Sequence, residues 1–518
     1  MTTKPVRIAA AVIFGKNMPH LRNVIGAVLS LLIISTGSPV TTFAGQADPA
    51  ARTEPGVTGS SAARLKSEID AILDREFLPV TNAGIKVMSL KDGDTIYEFN
   101  PRLLLVPAST QKLFTAAAAL SLLGPDREVA TTVALDAAGA RVYLKGCGDS
   151  LLSGADLAAL AAVAASKMDR DREYSLAADL SCFDDLYRGM GWMWDDDEML
   201  ISALSVNQNA VSMLVQPGLR VGTPAVVTAE PRSSHYTVQN LAKTGPARQA
   251  SSIQASRRPG EQDNVVTVTG VIALGSAPLV KHASVWRPEL MALTLFRDAL
   301  RAQGMKVSTM TTAPAPAGVP VVARAARRLE ELVRFALKTS DNLTAESLLK
   351  LLGLHASGQP GSGEAGSVAV RRYLEGQGIA TENLVVADGS GLSRYNLSSA
   401  QAMTQTLRAI HRDPELYRIF QESLPIAGKD GTLKGRMKGS CAEGNLRGKT
   451  GNMRGVSALS GYATSADGEP LAFSIIIQNY AASGRQAREV QDRIAALLCA
   501  FRRTRWDFLK TSRRPNDD

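Results

Sequence analysis

Three short strings in this 518-residue chain hold residue types that can do acyl chemistry. Ser109-Thr110-Gln111-Lys112 offers a hydroxyl with an amine three positions on. Ser340-Asp341-Asn342 offers a second hydroxyl and an amide, and Lys449-Thr450-Gly451 a second amine beside a glycine. A serine hydroxyl becomes a useful nucleophile only when a neighbouring base takes its proton. A lysine can be that base once apolar surroundings or another cation lower its pKa. Each string alone arises by chance. The three in this order, each in a fitting local context, make a specific signal.

The elements around each string suit that chemistry. Val106-Pro107-Ala108 is an extended entry, because proline disfavours helix at the residue before it. Leu113, Phe114, Ala116 to Ala119, Leu120, Leu122 and Leu123 predict an apolar helix that stops at Gly124. Ser109 therefore falls at a helix N-terminus, where developing negative charge is favoured, with Lys112 one turn along the same face. Alone, Ser109 would read as an N-cap and Lys112 as an exposed first-turn lysine. The second string joins two helical patterns, Leu329/Leu332/Val333/Leu337 and Ala345/Leu348/Leu349/Leu352. Ser340 or Asp341 can cap the second helix, with Glu346 nearby, and still present Ser340 and Asn342 inward. The third string opens a β pattern: Leu446 to Thr450, then Val456 to Thr464, then the buried run Leu471 to Gln478. Ser465-Ala466-Asp467-Gly468 is a hairpin turn between the last two. On a strand edge, Lys449-Thr450-Gly451 can pair with an extended peptide, and Gly451 permits close approach.

With these motifs the chain resembles the low-molecular-mass class C penicillin-binding proteins, the D-alanyl-D-alanine carboxypeptidases/endopeptidases. Further matching segments are Gly191-Trp192-Met193-Trp194-Asp195-Asp196, Ile201 to Asn207, Asp388 to Arg394 and Ser423 to Gly428. The resemblance spans about Leu65 to Leu498. It implies an α+β fold of the penicillin-binding, serine β-lactamase-like type, an antiparallel sheet with helices on both sides, carrying a large, mainly-β insert. It implies Ser109 as nucleophile, Lys112 as base, Ser340 as proton relay, Lys449 as the cation setting the local field, and Asn342 as a clamp on a substrate amide. The backbone N–H groups of Ser109 and Asn452 would form an oxyanion hole. Thr450 and Gly451 would line the groove, with Thr450 on the terminal carboxylate. The same resemblance puts Asp196 on the substrate's distal amino group and Arg394 on a side-chain carboxylate. A solvated acidic loop is the other reading of Asp195 to Glu198. Arg454 is a departure, standing where relatives can have a neutral glutamine. Peptidoglycan peptides are the implied substrates and β-lactam antibiotics the implied acylating ligands.

Length and composition agree with a multidomain globular enzyme: 45% hydrophobic and 21% charged residues. The organisation expected is a signal peptide over 1–44, catalytic segments at 60–128 and 322–505, an inserted region at 129–321 and a basic tail at 506–518. The stretch between Lys112 and Ser340 has room for a domain rather than a loop. Residues 1–44 hold Lys4, Arg7, Lys16 and Arg22, no acid, the apolar run Val24 to Ile34 and small residues ending at Ala44. That is a secretory signal pattern with cleavage near Ala44, implying a periplasmic or secreted protein; a retained anchor is the alternative. Without those four cations the formal charge falls from +9 to +5, still suited to peripheral contact with a polyanionic wall or membrane surface.

Nothing aromatic is interleaved densely enough with the basic residues for nucleic-acid binding. Cys147, Cys182, Cys441 and Cys499 allow three disulfide pairings. They and the five histidines lack metal-ligand spacing, so neither metal nor cofactor is expected. Three other classes of function compete. A β-lactamase needs a water-activating base, and no motif supplies one. A β-lactam sensor normally has a membrane-spanning transducer. A wall-binding protein with little hydrolysis would typically have lost Ser109, Lys112 or Lys449.

Overall fold

The computed structural model describes residues 61–76, 81–193, 199–258, 262–480 and 483–503. The signal segment, Asp196 and the basic tail lie outside the described residues. The chain enters through α1 (Ser61–Glu76), whose Leu65, Ile69, Ile72 and Leu73 recur at helical spacing and are buried. The hairpin β1 (Asn82–Ser89) and β2 (Thr95–Phe99) follows, then a 3₁₀ turn, Ala108–Gln111, running into α2 (Lys112–Leu123). Gly124, at φ +83°, ends α2 as the sequence predicts.

The next stretch holds β3 (Glu128–Asp136), β4 (Arg141–Lys145), α3 (Gly154–Ala165) and β5 (Glu173–Asp179). Ser153 and Asp156 form a capping box on α3. Eight short strands come next: β6 (Ala210–Gln216), β7 (Val226–Glu230), β8 (Thr237–Asn240), β9 (Lys243–Gly245), β10 (Gln254–Arg257), β11 (Val265–Thr269), β12 (Val271–Ala273) and β13 (Leu279–Ser284). Then come α4 (Pro288–Ala302), β14 (Lys306–Thr312) and β15 (Val321–Arg328). One five-stranded sheet has the order β14-β5-β4-β3-β15, and the short strands form three smaller sheets. The chain leaves α2 through β3 and returns through β15, which pairs with β3 antiparallel from Val321 to Arg328. Val133, Leu144, Leu157, Leu176, Phe296 and Leu300 belong to the core of this stretch.

A helical layer follows: α5 (Leu329–Thr339), α6 (Asn342–Ser357), α7 (Gly363–Gly376), α8 (Ala400–His411) and α9 (Pro414–Ser423). The chain then forms β16 (Arg447–Met453), β17 (Val456–Thr464) and β18 (Pro470–Gln478), and ends the described part in α10 (Gly484–Ala500). The main sheet is wholly antiparallel, in the order β16-β17-β18-β1-β2. Its central strand β18 is apolar almost throughout because both faces are covered. Leu471, Phe473, Ile475 and Ile477 pack with residues of α1 and α10, and Ala472 packs with the helical layer. β16 is left at the sheet edge, where alternate N–H and C=O groups are unpaired by neighbouring strands. Cys147 and Cys182 form a disulfide, Cα atoms 5.2 Å apart, while Cys441 and Cys499 are thiols.

Candidate active site

Ser109 sits in the 3₁₀ turn just ahead of α2, not in the first turn of the α-helix itself. The turn is tight: Thr110 Oγ1 donates to the Pro107 carbonyl at 2.7 Å, and Ala108 takes φ +47°. Two glycines let other segments close on it. A Cβ on Gly391 would lie 1.9 Å from the Ala108 carbonyl oxygen, and one on Gly451 2.8 Å from that of Pro107. Gly391 also has φ +84°, so no other residue fits there without strain. Gly451 brings the edge strand β16 directly against the Ser109 turn.

Lys112 is buried and reaches back along α2. Its ammonium donates to Ser109 Oγ at 3.2 Å, to Asn342 Oδ1 at 2.7 Å and to the Ser390 carbonyl at 2.7 Å. Asn342 is the first residue of α6, capped by Asp341, whose Oδ1 accepts from Thr344 N at 2.7 Å. Ser340 ends α5 in the left-handed conformation, φ +66°, so the chain reverses there and turns both side chains inward. Lys449 Nζ donates to Ser340 Oγ and to the Thr450 carbonyl, each at 2.8 Å. The three strings thus meet at one place: Ser109–Lys112–Asn342 on one side, Ser340–Lys449 on the other. Burial, and then the nearby Lys112 cation, push the Lys449 pKa well below the ordinary lysine value.

The groove residues lie around this centre. Thr450 Oγ1 donates to Thr432 Oγ1 at 2.7 Å. Asn452 is exposed on the strand edge, and Arg394 is exposed with Nη2 3.0 Å from the Arg454 carbonyl. Asp196 lies outside the described residues; Trp192, earlier in the same sequence motif, donates from Nε1 to Asp388 Oδ2 at 2.9 Å.

Sequence reasoning missed the groups behind Lys112. Asp388 is fully buried and accepts from Gly391 N, Ser393 N, Ser390 Oγ, Asn396 Nδ2 and Trp192 Nε1. Glu346 is not a capping partner: its Oε1 accepts from Gly389 N at 3.0 Å and Ser390 N at 2.8 Å. Burial, and then Asp388, raise the Glu346 carboxyl to about 8. Together the two acids fix the loop that offers the Ser390 carbonyl to Lys112. Asp388-Gly389-Ser390-Gly391 stood out in the sequence, but nothing local pointed to Glu346, more than forty residues away. Among the described residues no cluster of His, Cys, Asp or Glu is arranged to hold a metal ion.

Residues 65–500 match the D-Ala-D-Ala carboxypeptidase 3 (S13) family. The chain belongs to that family. It is 36% identical, over 86% of its length and 87% of the relative's, to the D-alanyl-D-alanine carboxypeptidase of Actinomadura sp. (strain R39). It is 27% identical, over 79% and 88%, to D-alanyl-D-alanine carboxypeptidase DacB of Haemophilus influenzae. The crystal structure of penicillin binding protein 4 (dacB) from H. influenzae superposes with TM-score 0.71 at 25% identity, covering 82% of this chain and 97% of that one. The same protein complexed with a novel β-lactam gives TM-score 0.67 at 23% identity, covering 83% and 98%. This chain is therefore a serine-type D-Ala-D-Ala carboxypeptidase of α+β fold, a hydrolase of the penicillin-binding class. Among the described residues no helix is long and apolar enough to cross a membrane.

Proposed function

We propose that Ser109 Oγ attacks the carbonyl carbon between the last two D-alanines of a peptidoglycan stem while neutral Lys112 takes the hydroxyl proton. The Oγ–C bond forms, the C–N bond breaks, and Ser340 hands a proton to the departing amine. Water then cleaves the Ser109 ester by the reverse proton path. The observation that carries this reading is the shared centre: Lys112 touches both Ser109 and Asn342 while Lys449 touches Ser340. Lys449, whose charged form is disfavoured by burial and by Lys112, sets the field in which Ser340 moves its proton. The N–H groups of Ser109 and Asn452 stabilise the oxyanion, Thr450 holds the terminal carboxylate, and Asn342 holds a substrate amide as well as orienting Lys112. The place of Gly451 against the Ser109 turn supports this alignment.

Asp196 takes the distal ammonium of the stem and Arg394 a side-chain carboxylate. When the leaving amine belongs to a cross-linked neighbour stem, the same steps give DD-endopeptidase activity. β-Lactams acylate Ser109 by the same attack, a reading supported by the β-lactam complex of the H. influenzae relative. Residues 1–44 act as a cleaved export signal and the enzyme works in the periplasm, with its basic surface against wall or membrane. The segment 129–321 is an inserted domain between catalytic segments 60–128 and 322–505; the pairing of β3 with β15 supports it, although β15 itself lies in the sheet of the insert.

The test is intact-protein mass spectrometry with benzylpenicillin, followed by product analysis on a pentapeptide stem and a cross-linked dimer. One penicilloyl group per chain, absent in Ser109→Ala, is expected. Labelling that persists in Ser109→Ala refutes the assignment.

A further inference from the structure

Beyond Asn452 the edge strand runs into an open cavity of about 690 Å³. Three arginines line it: Arg454 from the β16–β17 turn, and Arg485 and Arg488 from the first turns of α10. Tyr480 and Gly484 are also in the wall, and no described lining residue is acidic. Arg485 pairs at 2.7 Å with Glu489, one turn on and outside the lining. Arg488 Nη1 lies 3.5 Å from Asn452 Oδ1, so the cavity starts where the substrate strand ends. Gly484 keeps that junction open. A Cβ there would stand 3.3 Å from Arg488 Nη1 and 3.6 Å from Asn452 Oδ1. Glu489 offsets Arg485 in part, while the cavity lining itself offers no carboxylate to Arg454 and Arg488, and cations gathered this way attract an anion.

The direction of the substrate says which anion. With the terminal carboxylate at Thr450 and the scissile carbonyl at Ser109 and the Asn452 N–H, the stem must continue past Met453 towards Arg454. An extended chain advances about 3.3 Å per residue, so the third residue upstream of the scissile bond, two beyond the D-alanine held at Asn452, lies roughly 7 Å further along. In a peptidoglycan stem that position is the γ-linked D-glutamyl residue, whose α-carboxylate is free unless amidated. We propose that the cavity formed by Arg454, Arg485 and Arg488 binds this α-carboxylate and makes the enzyme discriminate against amidated stems. The proposal rests on the substrate direction put forward above. It concerns a carboxylate one residue further from the scissile bond than the one assigned to Arg394.

Two synthetic stem pentapeptides that differ only in carboxylate or carboxamide on the D-glutamyl residue test it. The wild-type enzyme should show kcat/KM about tenfold higher for the carboxylate, the scale of one partly exposed charge pair. Arg488→Gln, and Arg485→Gln with Arg488→Gln, should bring the ratio towards one, mainly by slowing the carboxylate peptide. Arg485 is exposed and Arg488 half-buried, neither belongs to a hydrophobic core, and benzylpenicillin acylation of each variant checks the Ser109 centre independently. Equal wild-type turnover of both peptides overturns the proposal and leaves the carboxypeptidase mechanism standing. A wild-type preference that survives in the double variant also overturns it, because other groups then supply the discrimination. Turnover of neither peptide, with penicillin acylation intact, removes the proposed substrate direction and the cavity's role with it.

Discussion

Replacing Lys112 by arginine separates a base from a mere cation. Lys112 makes three contacts, to Ser109 Oγ, Asn342 Oδ1 and the Ser390 carbonyl. Arginine keeps the charge and five donors, so it can still serve two acceptors, Asn342 and Ser390. It cannot give up its proton at any pH a protein survives, so it cannot accept one from Ser109. If Lys112 only oriented the loop and α6, the loss would be modest, on the order of one hydrogen bond to a charged group, about 1.5–3 kcal/mol. If it is the base, general-base catalysis worth about 10²–10⁴ in rate disappears on top of that, roughly 3–5 kcal/mol of barrier. The larger effect decides. Acylation by benzylpenicillin should therefore slow by at least about a hundredfold.

The assay is the second-order acylation rate followed by intact mass between pH 5 and 9, with thermal melting as the check on folding. Because Lys112 is only 1% exposed, the bulkier guanidinium also strains its surroundings, and a lowered Tm is expected. A correctly folded Lys112→Arg enzyme that acylates within threefold of wild type would falsify the assignment of Lys112 as base.

Three further outcomes are expected. Asp196→Asn should cut turnover of stem peptides with a free distal amine about tenfold, since losing one partner of a partly buried pair typically costs about 2–5 kcal/mol and the lower end applies here. Benzylpenicillin acylation should change far less, and equal losses in both assays would make Asp196 a general support of the fold. Gly391→Ala should lower Tm and acylation together, because its Cβ would overlap the Ala108 carbonyl at φ +84°; a variant that melts and acylates like wild type refutes that packing. Glu346 holds its proton up to about pH 8 in the folded enzyme, against an ordinary carboxyl near 4.5. Its contribution to stability is complete below about pH 4.5 and is lost as pH rises through 8, at about 1.4 kcal/mol per pH unit in between. Glu346→Gln, which copies the neutral form, should flatten the fall of stability from pH 5 to 8.5 in denaturant titrations, and an unchanged slope would assign the proton elsewhere.

What could be read from the sequence was local. Ser109 and Lys112 share one helical turn, Ser340 and Asn342 flank one reversal, and Lys449 opens one strand, so short strings carried them. The continuous buried run of β18 and the hairpin at Ser465 to Gly468 were equally plain. Contacts between distant segments were not. Glu346 and Asp388 meet only because α6 packs on the loop before α8, and the pairing of Cys147 with Cys182 needs β4 and the end of β5 side by side. The insert was legible only as a mainly-β region: the parallel alignment of β4 with β5 and of β5 with β14 was not, since parallel pairs leave no turn signature. Helix α4 escaped although its signals were present: Pro288 in its first turn, Glu289, and buried Met291, Phe296 and Leu300.

The two lysines explain why the site needs three distant strings rather than one. A single buried lysine could be neutral through desolvation alone, but its pKa would then depend on how much water the groove admitted. Two buried ammonium groups within reach of one another make a coupled pair, in which a proton on one disfavours a proton on the other. Lys449 is wholly buried, and after that burial the nearby Lys112 cation lowers its pKa further. The acceptors Asn342 Oδ1 and the Ser390 carbonyl meet Lys112, while Ser340 Oγ and the Thr450 carbonyl meet Lys449. Every one of those oxygens is neutral, so neither ammonium is offset by a carboxylate at contact distance in these bonds. The buried acids stand one layer back, where Asp388 and Glu346 hold the loop. Setting the acids behind the Ser390 carbonyl keeps that loop, and with it Lys112, in position.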